Sequence, residues 1–309
     1  MKKDLLSIKD LTGEEIHSLI LDAIDLKVGG WLSALGQKTL AIVFEKPSLR
    51  TRVSFEMAMR QLGGLSIYLS ASEVGLNQRE SVKDVAKVLS RYVSAIAART
   101  FSHQTLEILA ENAPVPVINA LSDLEHPCQA LADLMTIYEK KGRLQGLTLA
   151  FIGDGNNVAN SLLLAASLCG MNFTLAAPDG FGISDDYLEL AYNYAATSHA
   201  KIKMINLPAV AVDRADVIYT DVWISMGQEN ETKQRREKFH GYSVNKELLS
   251  LADRNVILMH PLPAHYGEEV EHDILDSRQS VVFDQAENRM HIQKALLLEM
   301  LGRSDILSD

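Results

Sequence analysis

Two cysteines, two tryptophans and eight prolines in 309 residues are a sparse supply of cross-links and rigid turns. Cys128 and Cys169 alone make no disulfide framework, so the fold must be held by its own buried core. Excess positive charge is also missing: 30 lysines and arginines face 40 acidic residues, a formal net charge of −10. As a whole such a chain is repelled by nucleic acid and by anionic membranes, and neither is expected as a partner. There is no long apolar run. The most apolar stretch, Leu162 to Ala177, is broken by Gly170 and Asn172 and reads as a buried helix running into a strand, not a membrane span. Met1-Lys2-Lys3 runs directly into Asp4, without the apolar region of a signal peptide, so a cytoplasmic location is expected. What remains is an ordinary globular composition, 47% hydrophobic and 23% charged, long enough for two domains.

The informative stretch is Phe44-Glu45-Lys46-Pro47-Ser48-Leu49-Arg50-Thr51-Arg52-Val53-Ser54-Phe55-Glu56. Thr39 to Phe44 is a β-branched and apolar run, and Pro47 interrupts it. From Val53 the apolar pairs Val53/Met57, Phe55/Met59 and Ala58/Leu62 fall at helical spacing until Gly63-Gly64. Ser48, Arg50 and Thr51 therefore stand at a helix N-terminus, where unpaired N–H groups and the helix dipole favour an anion. The plainer alternative is a capped helix with an exposed arginine. Apolar strands also precede Arg99, the turn His126-Pro127-Cys128-Gln129, the turn Gly153-Asp154-Gly155-Asn156-Asn157, Asp221 with Ser225-Met226-Gly227, and His260-Pro261-Leu262-Pro263. Strands alternate with helices throughout, which predicts an α/β fold with parallel sheets. The charged segment from Lys140 to Gly146 marks a domain boundary. Gly153-x-Gly155 is no dinucleotide fingerprint, because Val158 stands where a third glycine belongs. The polar segment Gln228 to His240 reads as too solvated for a core.

These motifs, in this order over nearly the whole chain, closely resemble the aspartate and ornithine carbamoyltransferases. The resemblance implies an α/β fold of two domains, each with a parallel sheet flanked by helices, joined by interdomain helices: 1–141 and 146–290, with a C-terminal helix at 291–309 packing back on the first. Only Leu49 departs from that family's Phe-x-x-Pro-Ser-Thr-Arg-Thr-Arg-x-Ser-Phe-Glu signature. If that position gives its backbone N–H, leucine preserves the contact; if it gives a hydroxyl, phosphate affinity drops a little. The resemblance implies that Ser48, Leu49, Arg50 and Thr51 hold the phosphate of carbamoyl phosphate. It implies that Thr51, Arg99 and His126 polarise the carbonyl, that Gln129 meets the amide, and that Arg289 lies near the carbamoyl group. Asn157, Asp221, Ser225, Met226, Pro261 and Leu262 correspond to the L-ornithine site, the Asp-x-x-x-Ser-Met-Gly loop being of the ornithine type, with Asp221 taking part in catalysis. The chemistry the family performs needs no metal and no cofactor. Family members are homotrimers or multiples of trimers with active sites at subunit interfaces. Two positions depart further: Pro261 replaces the usual cysteine, and Gly75 stands where a glutamine or serine reaches a neighbour's site. A carbamoyltransferase for another amine, such as putrescine or a modified ornithine, and a non-catalytic metabolite-binding paralogue are the alternatives. By resemblance the Leu262-Pro263 bond is cis.

Overall fold

Strands without alternation are buried on both faces, and the apolar runs of this sequence are such strands. In the computed structural model, which describes residues 1–76, 79–224 and 229–302, nine parallel strands form two sheets. The chain divides into two units, Met1–Met135 with Glu287–Asp309, and Thr136–Ala286. The division falls within two continuous helices, Pro127–Lys141 and Val282–Leu301, which connect the units covalently. Among the described residues no helix is long and apolar enough to cross a membrane.

The first unit holds β1 (Thr39–Phe44), β2 (Leu65–Leu69), β3 (Ala95–Arg99) and β4 (Val117–Leu121) in the order β2-β1-β3-β4. The second holds β5 (Thr148–Ile152), β6 (Asn172–Ala176), β7 (Ile202–Ile205), β8 (Val217–Thr220) and β9 (Ile257–Met259) in the order β7-β6-β5-β8-β9. β3 and β8 are buried at every position, whereas the edge strands β2 and β7 have no fully buried residue. Strand order reverses between β1 and β3 in one sheet and between β5 and β8 in the other. In open parallel sheets such a reversal leaves a crevice beyond the carboxyl ends of the two strands, because the loops leave in opposite directions. Register puts Phe44 beside Arg99 and Ile152 beside Thr220. The loops starting at Glu45, Thr100, Gly153 and Asp221 therefore emerge in adjacent pairs.

Local chemistry sets the helices that follow. Ser48 caps Leu49–Gln61, accepting from the Thr51 N–H at 3.3 Å, and the helix buries Phe55, Ala58 and Met59, with Leu62 just past its end. Val53 of the periodic set is exposed and Met57 only half-buried, so the Val53/Met57 pair lies off the core-facing stripe. Thr12 and Glu15 form a reciprocal capping box at Gly13–Gly29. The expectation for Gln228 to His240 needs correcting. Helix Thr232–Lys238 carries one buried cation, Arg235, and leads into Phe239, which is fully buried and stacks on Trp223 at 5.6 Å. A single aromatic among ten or so polar residues has no periodicity to announce it, yet it anchors the segment.

Gly155 sits where the loop 178–183 crosses the first turn of the second unit. A Cβ there would lie 2.4 Å from the Gly182 carbonyl carbon and 2.6 Å from Ile183 N, both backbone. Gly155→Ala is expected to cost about 1–3 kcal/mol in denaturant unfolding, while Gly182→Ala, whose Cβ would enter open space, stays within about 0.5 kcal/mol of the parent. Equal stabilities for the two variants would refute the close crossing.

Candidate functional site

In the first unit the β1 crevice gathers the residues singled out from the sequence. Ser48 Oγ donates to Thr51 Oγ1 at 3.0 Å, and Arg289 Nη2 donates to the same oxygen at 2.6 Å. Both lone pairs of the Thr51 hydroxyl are thus engaged, which leaves its proton to be given to another acceptor. Arg289 Nη1 donates to Gln129 Oε1 at 3.0 Å, and Gln129 Nε2 donates to Asp133 Oδ1 at 2.8 Å. This chain fixes the Gln129 amide orientation, and Thr51, Gln129 and Asp133 are fully buried. Leu49 is 76% exposed, so its backbone N–H is the one donor it brings to the turn.

Charge is the distinctive property of this cluster. Burial, then the nearby Arg289 and Arg50 guanidiniums, push Arg99 down to about 10. Burial also lowers Arg50. His126, buried at the start of Pro127–Lys141, is held well below the usual imidazole range by burial first and then by Arg289 and Arg99. Its ring is neutral at physiological pH. Cys128 is pushed up to about 12 by burial and stays a thiol, so it is no nucleophile. A guanidinium held down by two others, beside a capped helix N-terminus, belongs to a cluster arranged for an anion.

The second unit carries the opposite sign. Asn156 caps helix Asn157–Leu168 through Oδ1, which accepts from Val158 N and Ala159 N, and its Nδ2 donates to Asp221 Oδ2 at 2.8 Å. Asp221 Oδ1 accepts the Val222 N–H at 2.8 Å. Burial raises the Asp221 carboxyl pKa, while His260, Asn156 and Val222 act to lower it. Close by, Arg235 Nη1 pairs with Asp154 Oδ2 at 2.7 Å and with the Trp223 carbonyl at 3.0 Å. Past β9, His260 Nδ1 accepts the Leu262 N–H at 2.9 Å, which places the imidazole proton on Nε2, facing Glu269 Oε1 at 3.1 Å. Leu262 has φ of +56°, and Leu262-Pro263 is cis. Pro261 is half-buried in this turn and contributes no N–H.

Thus Ser48, Leu49, Arg50, Thr51, Arg99, His126, Gln129 and Arg289 belong to the first unit, and Asn157, Asp221, Pro261 and Leu262 to the second. Ser225 and Met226 lie outside the described residues. Asp133, the Asp154–Arg235 pair and the His260–Glu269 pair were not singled out from the sequence: Asp154 and Arg235 are 81 positions apart, while Asp133, one turn from Gln129, and Glu269, nine residues from His260, carry no motif that marks them. The bond from Asn156 to Asp221 was likewise not legible in the sequence. Gly75 has φ of +57° and closes the short helix Ala71–Val74, and a Cβ there would meet Arg79 Cβ at 3.0 Å. Glycine is thus required by this turn.

Residues 3–139 match the carbamoyl-phosphate-binding domain of the aspartate/ornithine carbamoyltransferases, and residues 145–300 match the aspartate/ornithine-binding domain. The ornithine carbamoyltransferase of Thermococcus kodakarensis is 49% identical over 304 residues, 97% of this chain and 96% of that protein. The protein of Pyrococcus furiosus named ornithine carbamoyltransferase, anabolic, is 50% identical over the same length and shares. A solved structure of the Pyrococcus furiosus ornithine carbamoyltransferase superposes with a TM-score of 0.94 at 50% identity, covering 97% of each chain.

The depressed His126 pKa makes a prediction about stability. The unfolded chain takes up the proton near its ordinary value of 6.5, whereas the folded chain resists it, so stability falls as pH drops below that value. In urea unfolding between about pH 7.5 and 5, His126→Gln should remove up to about 1.4 kcal/mol per pH unit of that slope. An unchanged slope would show that His126 is not held neutral.

Proposed function

From the premise that the chain belongs to the aspartate/ornithine carbamoyltransferase family and is a carbamoyltransferase, we propose that it acts on L-ornithine. The carbamoyl group of carbamoyl phosphate passes to the δ-amine, giving L-citrulline and phosphate. One observation carries this reading: an unusually cationic, buried cluster at a helix N-terminus in the first unit, with a buried carboxylate, Asp221, in the second.

In the proposed mechanism Ser48, the Leu49 N–H, Arg50 and Thr51 hold the phosphate. Three cationic side chains offset a dianion that a single cation leaves under-neutralised, and the charge-assisted hydrogen bonds give it one orientation. The Thr51 hydroxyl proton, the Arg99 guanidinium and His126 then face the carbonyl oxygen. As the amine adds, charge builds on that oxygen, and donors already fixed in place stabilise the tetrahedral intermediate without reorganising. Arg289 and Gln129 position Thr51 and orient the carbamoyl amide. On the amino-acid side Asp221, Asn157, Ser225 and Met226 engage ornithine, with Pro261 and Leu262 lining the turn. A carboxylate at Asp221 attracts an amine-bearing substrate and repels aspartate. Pro261 has neither thiol nor N–H, so it contributes shape and a carbonyl alone. Collapse of the intermediate expels phosphate, an outcome that requires no covalent enzyme intermediate. Holding two substrates in reacting geometry supplies much of the acceleration.

The assembly proposed is a homotrimer or a multiple of trimers, in the cytoplasm. Leu65 and Ile67, 66% and 46% exposed on one face of the edge strand β2, support burial against another copy. The word anabolic in the name of the Pyrococcus furiosus relative supports a biosynthetic use toward arginine.

A panel of amines offered with carbamoyl phosphate tests the reading. L-Ornithine should be the preferred acceptor over putrescine, N-modified ornithines and aspartate, with citrulline as product. Asp221→Asn should raise the KM for ornithine tenfold or more, about 1.4 kcal/mol, and leave that for carbamoyl phosphate within about threefold. A better acceptor among the other amines, or equal rises in both constants, would overturn the assignment; absence of any turnover would favour the non-catalytic alternative.

A further inference from the structure

The turn that follows His260-Pro261-Leu262 carries a second set of ligand-type side chains. Gly267, at φ of +87°, lets the chain fold so that the Glu268 N–H returns to the His265 carbonyl at 3.0 Å. That turn sets His265 and Glu268 on one side, next to Glu269. One ligand atom from each of the three lies within 4.8 Å of the others. Proximity alone would mean little, since acidic groups gather on many surfaces.

A second observation concerns the carboxylates themselves. Glu269 is fully buried. Its Oε1 accepts from His265 N at 2.6 Å and faces His260 Nε2 at 3.1 Å, but its Oε2, also buried, has no hydrogen-bond partner among the described residues. Glu268 repeats the pattern: Arg236 holds Oε1 at 2.6 Å while the buried Oε2 has no such partner. A buried carboxylate oxygen without a donor is costly, and it is accounted for when a cation takes the vacant lone pair. Two acidic side chains, Glu268 and Glu269, are thus set against one guanidinium, Arg236.

We propose that His265, Glu268 and Glu269 form a binding site for a divalent transition metal. One imidazole nitrogen with two carboxylate oxygens suits zinc or cobalt, and the nitrogen ligand disfavours magnesium and calcium. Three protein ligands leave a coordination position for water. The site shares Glu269 with His260, and His260 in turn holds the Leu262 N–H. Metal at Glu269 Oε2 draws electron density from Oε1 and weakens its hold on the His260 N–H, so occupancy is coupled to the 260–262 turn. The metal has no part in the carbamoyl transfer; it adjusts the turn proposed to receive the amino acid. The coupling, but not the binding, rests on the proposed function.

The test begins with the full-length, untagged chain stripped with chelator and titrated with Co2+. The expected result is one cobalt per chain with visible d–d absorption, displaced by Zn2+ and not by Mg2+. His265→Ala and Glu268→Gln should each weaken binding tenfold or more, with thermal melting and metal-free turnover like the parent's. The absence of stoichiometric binding, displacement by magnesium, or affinity unchanged in both variants would overturn the site. Should one variant fail to fold, the other and the parent titration still decide. Zinc should also change the KM for ornithine about fivefold or more, leaving that for carbamoyl phosphate as it was. Stoichiometric zinc with an unchanged ornithine KM would refute the coupling and leave the site standing.

Discussion

Arg50 and Arg289 stand close enough to Arg99 that their charges, added to its burial, make its guanidinium easier to deprotonate. Without a ligand this is a destabilised arrangement, since like charges repel more strongly where the effective dielectric is low. The first unit tolerates it because other interactions fix the parts independently. Strand β3 delivers Arg99 from a fully buried run, the Ser48 cap fixes the start of its helix, and the Gln129–Asp133 chain secures Arg289. Strain of this kind makes an anion site strong: the ligand relieves repulsion that was already present, and no side chain has to be ordered on binding.

The same field explains why His126 and Cys128 are electrically quiet. An imidazole among arginines stays neutral, and a thiol buried in apolar surroundings stays protonated. Acid–base cycling at these positions is disfavoured. What the site offers is fixed polarity, with a neutral His126 ring nitrogen, the Thr51 hydroxyl and the Arg99 guanidinium. The second unit mirrors this with an acid. Burial of Asp221 raises its pKa, and its hydrogen bonds from Asn156 and Val222 offset that only in part.

Much of this was legible in the sequence because the signals are local. The β-branched run before Phe44, the Ser48 cap, the histidine before Pro127 and the apolar strand before Asp221 each follow from neighbours a few residues apart. They were enough to place strands, helix starts and two parallel sheets. What was not legible depends on distance along the chain. Arg289 reaches Thr51 across 238 positions, and Arg235 reaches Asp154 across 81. No periodicity encodes such pairs. Phe239 shows a related failure, one apolar side chain in a charged segment that nevertheless fills the core. Strand order accounts for part of the site: the loops after β1 and β3, and those after β5 and β8, emerge side by side where the order reverses, whereas Arg289 and Arg235 come from helices.

The central claim is that the guanidinium cluster at the Ser48 helix is the carbamoyl-phosphate site. Titration calorimetry of carbamoyl phosphate into the parent and into Arg50→Ala tests it most directly, since Arg50 is only half-buried and takes no part in the Ser48 cap. The account predicts binding weaker by about 1.5–3 kcal/mol, roughly ten- to 150-fold, with the thermal melt of the unliganded protein unchanged or raised as one like charge is removed. An affinity within about threefold of the parent's would contradict it.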